Sequence, residues 1–204
     1  MRKKLFCFLL VVLCIPTLVG ARSLFEIDLG VSGIYNTDSP DTVESFFEGM
    51  GSGDNWTVGI GVNTRLSLFN ISFLAMVPNG GEEELQKLGL LTSLTIDIPL
   101  ITNGLYLNVG GGLTTDFTFA SDGSETRILH RPAADVTFLD VVEQSPIHLK
   151  YGLDVLFGSA KIGLFYLIDT KATMKRLAEP EGWADLFTST GQDKVGVMLQ
   201  LALF

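Results

Sequence analysis

From Phe25 onward the chain alternates apolar and polar residues two by two, in one stretch after another. A period of two is that of a β-strand with one apolar face, because successive side chains leave a strand on opposite sides. In the first stretch Phe25, Ile27, Leu29, Val31 and Tyr35 share one side, and Glu26, Asp28, Gly30 and Ser32 share the other. Similar runs recur at 56–68, 71–77, 90–100, 105–119, 147–157, 162–168 and 194–203, so eight strands are expected. The chain is unusually apolar, with a mean hydropathy of +0.36. Yet no run after Ala21 approaches the about 20 apolar residues that a spanning helix needs.

The connections alternate in length. Phe69-Asn70, 101–104 and Gly158-Ser159 are tight turns, whereas 37–54, 78–87, 120–146 and 170–191 are long. Residues flanking a two-residue hairpin loop pair directly. Pairing Leu68 with Ile71 then sets Leu66 against Phe73, and pairing Phe157 with Ala160 sets Tyr151 against Tyr166. A four-residue turn pairing Leu100 with Leu105 sets Ile98 against Leu107. In all three hairpins the apolar faces coincide, which a slipped register would not allow.

Alternation alone does not say which face points outward. A soluble lipocalin-like barrel turns its apolar face in, and a membrane barrel turns it out. The polar face here is rich in small residues, among them Gly30, Gly59, Gly61, Gly110, Gly112 and Gly196. These suit the narrow interior of an eight-stranded barrel. A water-facing surface would carry many Lys and Glu instead. Charge is segregated into the long connections, the first of which holds five acids and no Lys or Arg. Tyr35, Trp56, Tyr151 and Tyr166 lie on the apolar face, some near strand ends where an aromatic girdle belongs. The expected fold is all-β: an eight-stranded antiparallel up-and-down transmembrane β-barrel, with short turns in the periplasm and long loops outside.

Residues 1–21 read as a cleavable signal peptide, leaving 22–204 as the barrel. Arg2, Lys3 and Lys4 precede the apolar run 5–15, and Val19-Gly20-Ala21 supplies a cleavage site. Cys7 and Cys14, the only cysteines, leave with it. A disulfide, a thiolate metal site and a cysteine nucleophile are thereby excluded from the mature chain. Losing three cations takes the net charge from −9 to −12, which argues against nucleic acid as a partner.

The signal, the eight alternating strands, the short and long connections in turn and the terminal Phe204 resemble the small outer-membrane barrels of the OmpX, OmpW and OmpA N-terminal type. The resemblance covers the whole mature chain. It implies outer-membrane lipid as the surroundings, the outer membrane of a diderm bacterium as the location, and recognition of the last strand, ending at Phe204, by the barrel-assembly machinery.

Charged residues on the inward face are the candidate site. The registers put His148 opposite Asp169 with Lys150 diagonal to it, Lys161 diagonal to Asp154, and Asp97 opposite Asn108. Arg65, Glu26 and Asp28 fall near the periplasmic end of adjacent strands, and Asp116 and Lys194 complete the inward set. Unpaired charge inside a narrow barrel is costly, so these groups are expected to pair into a polar network that plugs the lumen. No enzymatic activity, cofactor or metal is expected. His130 and His148 are the only histidines, and no serine nucleophile is evident at a height matching His148. Loop 1 is expected to form a short helix through Val43, Phe46 and Phe47. Loop 4, with Met174, Leu177, Trp183, Leu186 and Phe187, is amphiphilic enough to lie at the membrane surface. The leading expectation is a structural or surface-interaction protein acting through its loops. A narrow channel for small or hydrophobic molecules, or a secreted lipocalin-like binder, are the alternatives.

Overall fold

The computed structural model describes residues 25–36, 43–78, 85–101, 104–120 and 125–203. The segment read as a signal and the terminal Phe204 lie outside the described residues. Eight strands form the barrel: β1 (Phe25–Asn36), β2 (Trp56–Leu66), β3 (Phe69–Pro78), β4 (Leu85–Ile101), β5 (Leu105–Ala120), β8 (Pro146–Phe157), β9 (Ala160–Thr173) and β10 (Lys194–Ala202). Each pairs antiparallel with its neighbour in the chain, β4 with β5, and β10 with β1, so the sheet closes on itself without a free edge. The short strands β6 (Thr126–Ile128) and β7 (Arg131–Pro132) form a hairpin on the end of β5. Helices α1 (Val43–Met50), α2 (Phe138–Gln144) and α3 (Met174–Leu177) lie in the long loops.

The apolar side of the alternation points outward. Leu29, Ile60, Phe73, Leu94, Leu153, Leu164 and Leu199, one from each of seven barrel strands, are all exposed. Inward residues of the same strands, Asp28, Asn63, Ser72, Ser93, Asp154 and Gln200 among them, are buried. A barrel girdled on the outside by apolar side chains, with charged and polar side chains buried within, is stable in a bilayer and not in water. This excludes the lipocalin-like alternative.

The β8–β9 hairpin has the expected register, Phe157 against Ala160 through to Tyr151 against Tyr166. In β4–β5 the pairing of Ile98 with Leu107 holds, but a bulge between Pro99 and Ile101 sets Ile101, not Leu100, against Leu105. The β2–β3 turn differs. It is Ser67-Leu68, not Phe69-Asn70, and Ile71 pairs with Thr64, not with Leu68. Ser67 adopts φ 62°, and the buried Arg65 Nη1 donates to the Ser67 carbonyl at 3.0 Å, which holds the turn. Phe69 and Asn70 thereby join β3 and ladder against Ile96 and Thr95. The register moves by four residues, an even number, so both faces are conserved.

Candidate functional site

The inward residues fall into three tiers between the short-turn end and the long-loop end. The tier nearest the turns is charged. Arg65 Nη2 donates to Glu26 Oε2 at 3.0 Å, joining β2 to β1. Lys161 Nζ on β9 donates to Asp28 Oδ2 on β1 at 2.5 Å and lies 3.9 Å from Asp154 Oδ2. Asn108 Nδ2 donates to Asp97 Oδ1 at 3.0 Å and to Asp154 Oδ2 at 3.4 Å, which makes a continuous chain of contacts from Asp28 to Asp97. All of these side chains are buried. Burial of so many charges is tolerable because each carboxylate faces a cation or an amide donor. The expected juxtapositions of Asp97 with Asn108, Lys161 with Asp154 and Arg65 with Glu26 and Asp28's strand are present. The stronger partner of Lys161 is Asp28, two strands away, which a hairpin register alone does not reveal.

The middle tier is apolar. Ile34, Leu74, Met76, Leu91, Phe165, Leu167 and Met198 form one buried cluster inside the barrel. Phe165 fills the space left by Gly196, opposite it in the ladder, where even a Cβ would collide with the ring. What remains is a void of about 20 Å³ bordered by Asn63, Ser72, Ser93 and Lys150, room for about one water. Lys150 Nζ sits 5.0 Å from the centre of the Phe165 ring, as a cation–π pair, and not on Asp169. The expectation of a wholly polar or small interior therefore fails here. The sequence carried the signal: in Phe73-Leu74-Ala75-Met76-Val77 and Leu164-Phe165-Tyr166-Leu167-Ile168 both parities are apolar, so both faces of those strands are.

His148, fully buried, stands opposite Asp169 in the ladder but does not bond to it. Its Nε2 meets Ser93 Oγ at 2.9 Å and its Nδ1 meets Thr114 Oγ1 at 3.0 Å. A serine does therefore lie beside His148, contrary to expectation, reached from β4 across β5, where Gly112 has no side chain to intervene. The two hydroxyls satisfy the buried ring. His148 and Ser93 are both buried, and Asp169 is ion-paired with Lys194 and not bonded to the ring.

The tier at the long-loop end is open. A cavity of about 570 Å³ lies there, floored by Met76 and Leu91 and walled by Thr57, Asp116, Asp169 and Lys194. Asp116 is exposed in this vestibule, outside the packed network in which it was expected.

The chain is a closed eight-stranded transmembrane β-barrel. No protein-family profile and no curated protein matches the sequence. Solved structures do resemble it. The N-terminal β-barrel domain of Pseudomonas aeruginosa OprF superposes with a TM-score of 0.48 at 9% identity, over 87% of this chain and 97% of that one. Neisserial surface protein A gives 0.42 at 10% identity, over 90% and 97%. Ail, the attachment invasion locus protein of Yersinia pestis, gives 0.42 at 12% identity, over 87% and 96%.

The loops around the vestibule are tied down at named points. In loop 1 the expected helix is present as α1. Tyr35 points outward from β1 but is covered: its hydroxyl donates to the Phe46 carbonyl at 3.2 Å, and its ring meets Phe46 edge-on at 5.3 Å. Trp56 Nε1 donates to the Met50 carbonyl at 2.9 Å, so α1 is clamped over the outer rim. In loop 3 Thr137 and Asp140 cap α2 reciprocally. The Thr137 hydroxyl and amide, both donating to Asp140, hold its carboxyl below the usual aspartate range. In loop 4 Arg176 pairs with Asp185 at 2.5 Å, and the Lys171 and Thr190 amides bond across to the Thr188 and Asp169 carbonyls. Phe138, Leu139, Trp183 and Phe187 remain exposed on loops 3 and 4.

Proposed function

We propose that this chain is an outer-membrane protein of a diderm bacterium that acts as a structural or surface-interaction element, through its long loops, while its lumen stays closed. The observation that carries this reading is the luminal seal. Leu74, Leu91, Phe165 and Met198 close the passage above a tier of paired charges, and the void they border is about one water in size. The loops, by contrast, present large apolar side chains to the outside, Phe138 and Phe187 being more than three-quarters exposed. Such side chains supply contact area to a surface partner. In this reading the short turns face the periplasm and β10 is the strand presented to the assembly machinery. No catalytic role is proposed: both hydroxyls on His148, from Ser93 and Thr114, serve to satisfy a fully buried ring that has no carboxylate bonded to it.

Reconstitution in planar bilayers tests the seal: the wild-type chain should pass no steady current, and a large steady conductance would overturn the reading. Trypsin added to intact cells should cut at Lys175 or Arg176 if loop 4 is outside; protection there with cutting from the periplasmic side would invert the topology. The vestibule favours a second reading, a gated narrow channel, in which Phe165 swings aside for a small molecule held above it. Brief openings that depend on an added solute would support that alternative.

A further inference from the structure

The outer wall of a barrel is normally convex. Here one sector is concave: a trough of about 620 Å³ crosses β10, β1, β2, β3 and β4, with Val31, Ile60, Val62, Phe73, Ala75 and Leu199 among its lining residues. Its cause lies on the inward face. Gly30, Gly59 and Gly61 put no side chain between this wall and the luminal contents. A Cβ on Gly59 would lie 2.7 Å from the Ala75 carbonyl and 3.0 Å from Met76 Cγ, and one on Gly61 would lie 2.8 Å from the Phe73 carbonyl. The wall therefore sits down on Leu74 and Met76 instead of being propped out. On the outside, Ala75 is the small residue of its rung, between Ile60 on β2 and Leu90 on β4. Further towards the loops the Trp56 ring covers the outward Gly33, passing within 3.3 Å of its Cβ position.

We propose that this trough is a binding groove for one acyl chain of a membrane lipid. The inference rests on the membrane reading of the barrel, because the trough lies in the lipid-facing band, four residues along β1 from Phe25 at one end and four from Tyr35 at the other. Lipid is what surrounds it there. An apolar cavity of about 150 Å³ takes a benzene ring, so the trough has room for roughly four such volumes, enough for a long alkyl chain. Within a bilayer there is no hydrophobic gain from pairing apolar surfaces, and association is decided by packing. A thin flexible chain follows a concave trough, whereas the convex flank of a second barrel would leave it partly empty. A lipid seated there exchanges more slowly than its neighbours on the convex flanks.

The test uses the full chain in phosphatidylethanolamine–phosphatidylglycerol vesicles carrying a trace of phosphatidylethanolamine with a diazirine in its acyl chain. After irradiation the labelled residues are mapped. Labelling of Phe73 and Leu199 should exceed that of Leu107 and Leu153, on the opposite wall, several-fold. Ala75→Phe, which fills the trough from outside without touching the lumen, should remove the excess, and Ala75→Leu should reduce it; heat-modifiable migration reports that each variant is folded. Equal labelling on both walls, an excess that survives in a folded Ala75→Phe protein, or a trough less labelled than the opposite wall because a second copy covers it would each overturn the groove. Absence of label on both walls would overturn the membrane reading itself, and so is distinguishable.

Discussion

Lys161 is the cation on which the charged tier depends, and its removal has a calculable consequence. Its side chain is 5% exposed, and those of Asp28 and Asp154 are 3% and 4% exposed. Lys161→Met keeps the length of the side chain and most of its volume but leaves Asp28 without its cation and Asp154 with only the Asn108 amide at 3.4 Å. Stranding one partner of a buried pair costs about 3–5 kcal/mol, a large fraction of the about 5–15 kcal/mol by which folded domains are usually stable. The reverse also follows: Asp28→Asn in the Lys161→Met background removes the stranded charge, so the double variant should recover at least half of the loss. Urea unfolding of the reconstituted barrel, followed by Trp fluorescence and by heat-modifiable gel migration, gives both values. A Lys161→Met protein within about 1 kcal/mol of wild type, a size typical of exposed pairs, would refute the buried-network account. So would a double variant no more stable than the single one.

Leu91→Ala should destabilise by about 2–5 kcal/mol, as large-to-small changes in packed apolar sites do, and should join the small central void to the vestibule, both of which Leu91 lines; planar-bilayer recordings should then detect a small steady current, and their silence would place the seal in the charged tier. Gly112→Val should abolish the heat-modifiable form, because a Cβ there lands on the Thr92 carbonyl, a backbone group that cannot yield within the closed ladder. Asp140 titrates below the ordinary aspartate range in the folded loop, so its contribution to holding α2 is complete above the unfolded value and is lost as pH falls through the lower folded value. Protection factors for hydrogen exchange across Phe138–Gln144, taken relative to the intrinsic rate at each pH, should fall on that descent, and Thr137→Ala should move the transition to higher pH.

Strand number, closure, the outward face and two of the three hairpin registers were legible from the period-two pattern, because in a one-sided strand parity alone assigns each side chain to a face. The β2–β3 turn was misplaced since nothing local marks Ser67-Leu68: neither residue is Gly, Asn or Asp, and the turn is held by Arg65, a contact that exists only in the folded lumen. The partner of Lys161 was missed for a related reason. Hairpin registers relate adjacent strands, whereas lumen-filling side chains reach over a neighbour whose own side chain is small or displaced. His148 finds Ser93 across Gly112, and Lys161 finds Asp28 across β10. Lys150 and Lys194 flank β9 on the same rung, both against Leu167 and both two residues from Asp169, so parity and register do not decide between them; Lys194 takes the carboxylate and Lys150 takes the Phe165 ring.

The contact between Lys161 and Asp28 also bears on how the barrel closes. The two residues are 133 positions apart, and their strands are not hydrogen-bonded to each other: β10 lies between, with Gln200 paired to Lys161 on one side and to Gly30 on the other. The ion pair can form only when β10 is laddered to both β9 and β1, which is the closing step of the cylinder. A slip of two residues that moves Asp28 further from the Gln200 rung, on which Lys161 sits, preserves every face but carries Asp28 roughly 7 Å along the strand, out of reach of the ammonium. Apolar side chains of similar volume would stabilise this tier as well or better, yet they would tolerate the slip. Buried charge at this place therefore acts against misclosed barrels more than for the closed one. That accounts for its position at the β9–β10–β1 seam, beside the matching Glu26–Arg65 pair that fixes β1 to β2.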